Sequence, residues 1–446
     1  MGATESLAQF IVDTHYDRLP ESVVEAAKIA ILDGVANMLA GSTQNLSTLI
    51  GQYVQELGGV PESSLVGWGF KTNAPSAAFA NGVFGHCLDF EIQGYPPTHG
   101  TSSCLPAALA LGEKSQISGK VIIEAYVVGW EVQGRLRAAS AHASNPAFHP
   151  PGLVGPLGGA AASAKVLGLN RYQTQMAMGI AASRSGGLTA NTGTMVKSTH
   201  PGNAARMGVE AAMLARAGYT SREDILEAPR GYAAALFQGD MDWEVVTQNL
   251  GSTYRLVDPG FDIKRFPAQI HMQPLTEAVL NLRQRYGLTA DRVDLLTIRT
   301  DGRGHSGSLP RSGLDGKFSV EYCAAAALLD GKVGIETFTD ERRFSQDMED
   351  TLRKIRVEPG EQASRMTTVT AHLQDGSTVS ETCHGFTGSA ANPMSREQRL
   401  DKVWNCVRRV LSDPAGEDLL GRLEDLENVA DISAVMAILG QKSPTR

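Results

Sequence analysis

The sequence has no long uninterrupted apolar run. Nowhere in its 446 residues does a stretch approach the roughly 20 apolar residues that a helix needs to cross a bilayer. The first residues, MGATESLAQFIVDTHYD, also lack the basic start and apolar stretch of a secretory signal. We therefore expect a cytoplasmic protein that does not associate with membranes.

Cysteine and basic charge are also scarce. The five cysteines show no C-x-x-C spacing, and their odd number excludes a complete set of intrachain disulfides. A net charge of −8 and a pI near 5.7 argue against nucleic acid as a partner, because phosphate binding needs a basic surface. An anionic substrate would have to meet positive charge concentrated inside a cleft.

Several cofactor and nucleophile motifs are missing. The sequence contains no H-E-x-x-H pair, no G-x-S-x-G elbow and no GK[ST] phosphate loop. The glycine-rich run GPLGGAAASAK lacks the spacing of a dinucleotide fingerprint, and tight packing between helices explains it better. We therefore predict no metal, nucleotide or other cofactor.

What is present is a long helical pattern followed by a mixed one. From about residue 20 to 220 the apolar spacing is helical, as in ESVVEAAKIAILDGVANMLAG, which we expect to end at Gly41. Beyond about residue 265, LLTIRT, KIRVEP and TTVTAHLQDGSTVSET alternate with period two, as strands do. Further helical patterns cover roughly 274–287, 318–330, 340–353, 395–412 and 415–440.

These patterns predict a mainly α protein with a smaller α+β part. The chain is long enough for two or three bodies. We place an all-helical domain at residues 1–264 and 395–446, and an α/β lid domain at residues 265–394. No internal repeat stands out.

Four segments carry residues suited to proton transfer on an anion. They are HCLDFEIQGYPPTH (86–99), AFHPPG around His149, KSTH (197–200) and KRFPAQIH (264–271). Each places histidine or lysine beside proline or glycine, where side chains can face a cleft. Lysine attracts carboxylates, and histidine exchanges a proton near neutral pH. Solvated loops are the plain alternative for each segment taken alone.

The segments also follow one another in a familiar order. The runs NGVFGHCLDFEIQGYPPTHGTSSCLPAALALGE, SGKVIIEAYVVGWEVQGRLR, FHPPGLVGPLGGAAASAK, MVKSTHPGNAARMGVEAAMLARAG, IKRFPA and GKFSVEYCAAAALLDGKV together resemble the MmgE/PrpD family. They are nearest in motifs to its cis-aconitate decarboxylase branch. The resemblance implies a homodimer with a large all-helical domain, a smaller α/β lid domain, and cofactor-free catalysis in the cleft between them.

The resemblance also implies site residues. The catalytic positions would be Asp89, His99, His149, Lys197 and Lys264. The substrate-binding positions would be Gln93, Thr98, His200, Gln269 and His271. Gln93 stands where the decarboxylases have threonine, and Gln269 where they have histidine. Glutamine cannot exchange a proton at neutral pH, and His271, two residues later, is a candidate replacement for that histidine.

Three functions stay open at this point. The first is a lyase that removes a proton next to a carboxylate of a small di- or tricarboxylate and then loses water or CO2. The second is an epimerase or isomerase that removes the proton from an amino- or imino-dicarboxylate and returns it. The third is a non-catalytic homologue that binds carboxylates.

Overall fold

Long helices form the first part of the structure. The structure is a computed structural model and describes residues 1–143, 147–300, 309–360 and 366–443. The helices are α1 (Ala3–Asp13), α2 (Glu21–Ser42), α3 (Asn45–Leu57), α4 (Ala74–His86), α5 (Thr101–Ser115), α6 (Gly119–Ala139), α7 (Pro150–Val166), α8 (Arg171–Ala182), α9 (Val196–Arg216), α10 (Tyr232–Leu236) and α11 (Trp243–Thr247). Short 3₁₀ turns lie at Tyr16–Arg18, Thr189–Asn191, Ile335–Phe338 and Leu426–Asn428.

Small residues let these helices approach closely. The predicted end of α2 at Gly41 is wrong, because the helix continues to Ser42. Gly41 instead faces α4, where a Cβ atom would lie 1.8 Å from the carbonyl oxygen of Phe84. The run GPLGGAAASAK lies inside α7, and a Cβ on Gly208 of α9 would lie 2.3 Å from the backbone of Gly159 in α7. The interpretation of this run as helix packing is therefore confirmed.

Two short antiparallel pairs accompany the helices. Strands β1 (Ser63–Ser64) and β2 (Lys71–Thr72) pair with each other, and β3 (Gln93–Gly94) pairs with β4 (Phe261–Asp262). In the second pair Gln93 lies opposite Asp262. This pairing brings the segment that follows α4 beside the segment that leads to Lys264.

The later part of the chain combines helices with a sheet. Its elements are α12 (Met272–Tyr286), β5 (Val293–Thr300), α13 (Gly313–Gly316), α14 (Val320–Asp330), α15 (Asp340–Arg343), α16 (Gln346–Leu352), β6 (Ile355–Pro359), β7 (Thr367–Leu373) and β8 (Thr378–Cys383). The strand order is β6-β5-β7-β8, in which β5 and β6 are parallel and the other pairs are antiparallel. The single helix predicted at 340–353 is two helices, because a new helix begins after Ser345.

The chain then returns to the first body through α17 (Arg396–Val407), α18 (Asp413–Glu424) and α19 (Ser433–Leu439). Apolar side chains of these helices, such as Val403 and Leu419, belong to the core of α1–α9. A separate core runs from Phe266 to Leu373. The mainly α fold with a smaller α/β part is thus confirmed, and the domain boundaries stay a prediction. Among the described residues, no helix is long and apolar enough to span a membrane.

Candidate active site

The segment after α4 forms the centre of the candidate site. The helix ends at His86, and Asp89 adopts a left-handed backbone conformation with φ of 52°. Such a conformation is uncommon for residues other than glycine, although Asp tolerates it better than most. Asp89 and Glu91 are 2% and 1% exposed. The loop therefore holds two carboxylates inside the protein.

Three buried lysines bind the backbone of this loop. The Nζ atom of Lys317 donates to the carbonyl oxygens of Cys87 (3.3 Å) and Leu88 (2.9 Å). The Nζ atom of Lys264 donates to the carbonyl oxygen of Asp89 at 2.9 Å. The Nζ atom of Lys402 donates to the carbonyl oxygen of Phe90 at 2.7 Å. These carbonyls lie just beyond the negative end of α4, where cations are favoured. The lysines come from three distant parts of the chain and together fix the loop that carries the carboxylates.

The Asp89 carboxylate joins two of the predicted catalytic lysines. Its Oδ2 atom accepts from Lys197 Nζ at 2.6 Å, and its Oδ1 atom accepts from Lys264 Nζ. Burial would raise the pKa of Asp89, but the charges of Lys197 and Lys264 hold it well below its usual range. Burial lowers the pKa of Lys197, and Asp89 opposes that change. Asp89 therefore stays ionised and keeps two ammonium groups in place.

A second chain of contacts runs from Glu91 through His86 to Lys197. Glu91 Oε1 lies 2.5 Å from His86 Nδ1, and His86 Nε2 lies 3.1 Å from Lys197 Nζ. Ser102, in the first turn of α5, donates to Glu91 through its backbone N–H (3.0 Å) and its hydroxyl group (2.9 Å). The pKa of Glu91 is lowered, since its contacts with His86 and His99 outweigh burial. An ionised Glu91 accepts the Nδ1 proton of His86, which leaves Nε2 free to accept from Lys197.

Three further histidines complete the cluster. His99 Nδ1 lies 3.2 Å from Glu91 Oε1, although the two atoms are not aligned for a hydrogen bond. His149 Nδ1 lies 3.1 Å from His200 Nδ1. Burial lowers the pKa of all three histidines, and for His149 and His200 the nearby charge of Lys197 lowers it further. His86 behaves likewise, with its pKa lowered to about 3. The imidazole rings are therefore neutral near pH 7.

The histidines are also the residues that could hold a metal ion. One nitrogen from each of His86, His99 and His149 lies within 4.8 Å of the other two. However, the Nε2 atom of His86 faces the Lys197 ammonium group and its Nδ1 atom faces Glu91. A cation could use Nε2 of His86 only if Lys197 moved away, because like charges repel at this distance. The donor set thus fits a metal poorly while Lys197 holds this position, and the absence of a metal stays a prediction.

The remaining predicted residues lie on the same segments. Gln93 and Thr98 are 6% and 4% exposed, and Gln269 donates its backbone N–H to the carbonyl oxygen of Lys317 at 3.0 Å. His271 is half-buried immediately before α12. The role of His271 stays a prediction.

Sequence reasoning missed three residues of the cluster. His86 and Glu91 belong to the segment that we singled out, and their five-residue spacing around Asp89 was the available signal. Lys317 lies in the run GKFSV, which contributes to the family resemblance. Its ammonium group is buried, and burial lowers its pKa to about 8. A single lysine beside a helix start gives no pattern that separates this role from an exposed one.

Comparisons with known proteins agree with this architecture. The model of the MmgE/PrpD N-terminal domain matches residues 5–244, and that of the C-terminal domain matches residues 266–423. Cis-aconitate decarboxylase of Homo sapiens is 30% identical, over 99% of this chain and 95% of the relative. Cis-aconitate decarboxylase of Aspergillus terreus is 27% identical, over 99% and 97% of the two chains. Both relatives are lyases. The chain therefore belongs to the MmgE/PrpD family of enzymes.

Proposed function

We propose that the chain is a cofactor-free lyase that removes a proton next to a carboxylate of a small di- or tricarboxylate and releases water or CO2. One observation carries the proposal. The Asp89 carboxylate binds the ammonium groups of Lys197 and Lys264 beside histidines that burial keeps neutral. The cluster thus combines fixed positive charge with uncharged bases.

The lysines suit the binding of substrate carboxylates. An ammonium group has three N–H donors, and Lys197 uses two of them on Asp89 and His86. Lys264 likewise donates to the side chain and to the backbone of Asp89. Each lysine therefore keeps one donor for a substrate. With Lys317, three ammonium groups surround two carboxylates, so the local charge attracts an anion although the whole chain is acidic.

The histidines suit the transfer of the proton. A neutral imidazole of His99 or His149 accepts the proton as the C–H bond breaks, and the electron pair moves toward the adjacent carboxylate. Lys197 and Lys264 offset the negative charge that develops there. In a dehydration, the pair then forms a C=C bond as hydroxide leaves with a proton, as water. In a decarboxylation, the imidazole returns its proton to the carbon skeleton, the C–C bond to a carboxylate breaks as CO2 leaves, and the electron pair left on carbon takes up a second proton, from solvent.

Asp89 serves this reaction as a positioning residue. Both oxygens of its carboxylate accept from lysines, and its pKa is far below the usual range. A carboxylate with so low a pKa is a weak base. We therefore propose that Asp89 orients its charged partners and does not abstract the proton.

Epimerisation is the second candidate. An epimerase needs one group that removes a proton from one face of a carbon atom and another that returns it to the opposite face. The ring centres of His99 and His149 are 6.0 Å apart, and both rings are neutral. At this separation the two rings could flank one carbon atom, with one neutral ring accepting the proton and the other first binding a proton from solvent that it then delivers to the opposite face. Gln93 and Gln269, which differ from the decarboxylase pattern, also favour a substrate other than cis-aconitate.

Proton NMR in D2O tests these alternatives directly. The purified protein is mixed with cis-aconitate, citrate, 2-methylcitrate and iminodisuccinate in separate samples. New olefinic or decarboxylated products establish the lyase. Loss of an α-proton signal without a new carbon skeleton establishes the epimerase. Binding of a compound without either spectral change would contradict both the lyase and the epimerase. The Lys197→Ala variant should lose about 10²–10³-fold in activity, and Lys165→Ala, which removes a lysine paired with Glu124 outside the cluster, should remain fully active.

We also propose that the enzyme is a cytoplasmic homodimer, as the family resemblance implies. Leu188, Met195 and Val196 are 53%, 50% and 46% exposed, and they precede Lys197 in the chain. A second subunit that covers such apolar side chains would stabilise the edge of the candidate site. Light scattering coupled to size-exclusion chromatography should give twice the monomer mass, and a monomer mass would contradict this assembly.

A further inference from the structure

Two glutamines near the cluster have amide oxygens without a partner. The Oε1 atoms of Gln93 and Gln269 are buried and accept no hydrogen bond from the described residues. The hydroxyl oxygen of Thr98 is in the same state. Buried polar atoms in folded proteins almost always have a hydrogen-bond partner, and an unmet acceptor costs free energy. These three atoms are therefore positions at which a bound molecule or an ordered water would supply the missing partner.

Gln273 shows what a structural glutamine does in the same region. Its Oε1 atom accepts from the backbone N–H groups of Arg265 (2.9 Å) and Phe266 (3.0 Å). Its Nε2 atom donates to the carbonyl oxygens of Phe266 (3.0 Å) and Ala268 (3.2 Å). The amide of Gln273 is thus fully used in holding the turn that follows Lys264. Gln269, only four residues earlier, has no comparable use for its Oε1 atom.

Gln93 and Gln269 lie on the segments that carry the proposed catalytic groups. Gln93 is four residues after Asp89, and its pairing with Asp262 holds it beside the approach to Lys264. Gln269 is five residues after Lys264, and its backbone binds Lys317. The backbones of both glutamines are therefore tied to the segments that carry the charged cluster, and their buried side chains add no charge to it.

We infer that Gln93 and Gln269 are specificity-determining residues that recognise a hydrogen-bond donor, a hydroxyl or amino group, on the carbon skeleton of the substrate. The inference rests on the proposed function. A glutamine amide has two donors and one acceptor. A fully ionised tricarboxylate without hydroxyl or amino groups only accepts hydrogen bonds, so it can occupy the amide N–H groups but not the carbonyl oxygens.

The energetic consequence is selection against substrates that lack the donor. A site built to bind an O–H or N–H group rejects the analogue without it, because the buried acceptor is left unpaired. Cis-aconitate is such an analogue of citrate, since it has the same three carboxylates and no hydroxyl group. Ordered water is the competing partner for the two glutamines, and it would give no such selection.

Binding and turnover should be measured separately on the full-length protein. Titration calorimetry with citrate, 2-methylcitrate, aspartate and cis-aconitate should show that at least one donor-bearing ligand binds about tenfold more tightly than cis-aconitate. Gln93→Met and Gln269→Met should each reduce that ratio, because the donor-bearing ligand loses contacts with the amide oxygen and the amide N–H groups, whereas cis-aconitate loses only the N–H contacts. The control Gln273→Met should lower thermal stability and leave the ratio unchanged.

The outcomes separate this inference from the proposed function. Tighter binding of cis-aconitate, or equal losses for both kinds of ligand in the methionine variants, would overturn the inference. Release of CO2 from cis-aconitate together with that result would still support a lyase. Selective binding of a donor-bearing ligand without turnover of any compound would support the specificity and contradict the proposed chemistry. Failure of every ligand to bind would contradict both.

Discussion

The two sides of the candidate site differ in how a buried charge is balanced. On one side, Asp89 binds Lys197 and Lys264, so that opposite charges are buried together. On the other side, the rings of His149 and His200 contact each other, and burial and the charge of Lys197 both lower their pKa. Burial penalises a charge on both sides, but Asp89 offsets that penalty for Lys197, whereas Lys197 adds to it for His149 and His200. Asp89 therefore favours the charged form of Lys197, and His149 and His200 stay neutral.

This difference assigns separate tasks to the two sides. Fixed cations bind carboxylates and offset developing negative charge, but they cannot remove a proton. Neutral imidazoles can remove a proton, but they attract an anion only weakly. His86 connects the two sides, because it contacts Glu91 through one nitrogen and Lys197 through the other. A variant on one side should consequently affect a different kinetic quantity from a variant on the other.

The largest effect is expected on the histidine side. His149→Gln removes a proposed base and keeps a polar side chain of similar size. We expect kcat to fall by about 10²–10⁴-fold, while KM changes little, because the lysines that bind the substrate are intact. Steady-state kinetics with the substrate identified by NMR would measure both quantities.

An exposed histidine offers the matched control for that variant. His142 pairs with Asp240 at the surface, so His142→Gln should retain full activity. A rise in KM at unchanged kcat for His149→Gln would show that His149 binds substrate and does not remove the proton. That result would contradict the separate tasks proposed for the two sides of the site.

A smaller catalytic effect and a large stability effect are expected on the lysine side. Lys264 is fully buried, and Lys264→Met leaves Asp89 with a single cationic partner. We expect kcat/KM to fall by about 10²–10³-fold and the free energy of unfolding to fall by about 3–5 kcal/mol. Urea denaturation and steady-state kinetics would measure the two changes.

The pairing with Asp89 can be tested by a double-mutant cycle. Asp89→Asn in the Lys264→Met background removes the carboxylate that has lost this lysine, so the double variant should be more stable than the sum of the single changes predicts. Additive losses would show that the two residues do not depend on each other. Lys165→Met, which breaks a contact with Glu124 elsewhere, should not alter kcat/KM.

Local patterns predicted most of the fold. The helices expected near 274–287 and 318–330 are α12 and α14. Of the three runs with period two, the first is β5, the second is β6, and the third contains both β7 and β8. The prediction failed where tertiary contacts override local signals. Gly41 looks like a helix end in the sequence, but its missing side chain is needed for the close approach of Phe84.

The candidate site shows where sequence reasoning stops. Asp89, Lys197 and Lys264 could be selected by residue type and family resemblance, but their contacts span 108 and 175 residues of the chain. No local pattern encodes such a pairing. The same holds for Lys317, whose partners lie 229 and 230 residues away. Spacing identifies candidates, and only the packing of distant helices shows which charges neutralise one another.

The smallest expected effect is a pH dependence of stability that belongs to the histidine side. Burial lowers the native pKa of His86 to about 3 from an ordinary value of 6.5, and the pKa of His149 also falls. Between these values the unfolded chain binds more protons than the native protein, so the free energy of unfolding must fall as pH falls below about 6.5. Each neutral histidine contributes at most about 1.4 kcal/mol per pH unit to this fall in the free energy of unfolding.

The native pKa of Asp89 is also lowered, but its effect on stability begins only near pH 3.8 and below. Urea denaturation from about pH 7 to about pH 5 should therefore show this fall, and His149→Gln should reduce the slope while Asp89→Asn should not. An unchanged slope in His149→Gln would show that this ring is protonated in the native protein, and the distinction between a charged side and a neutral side would fail.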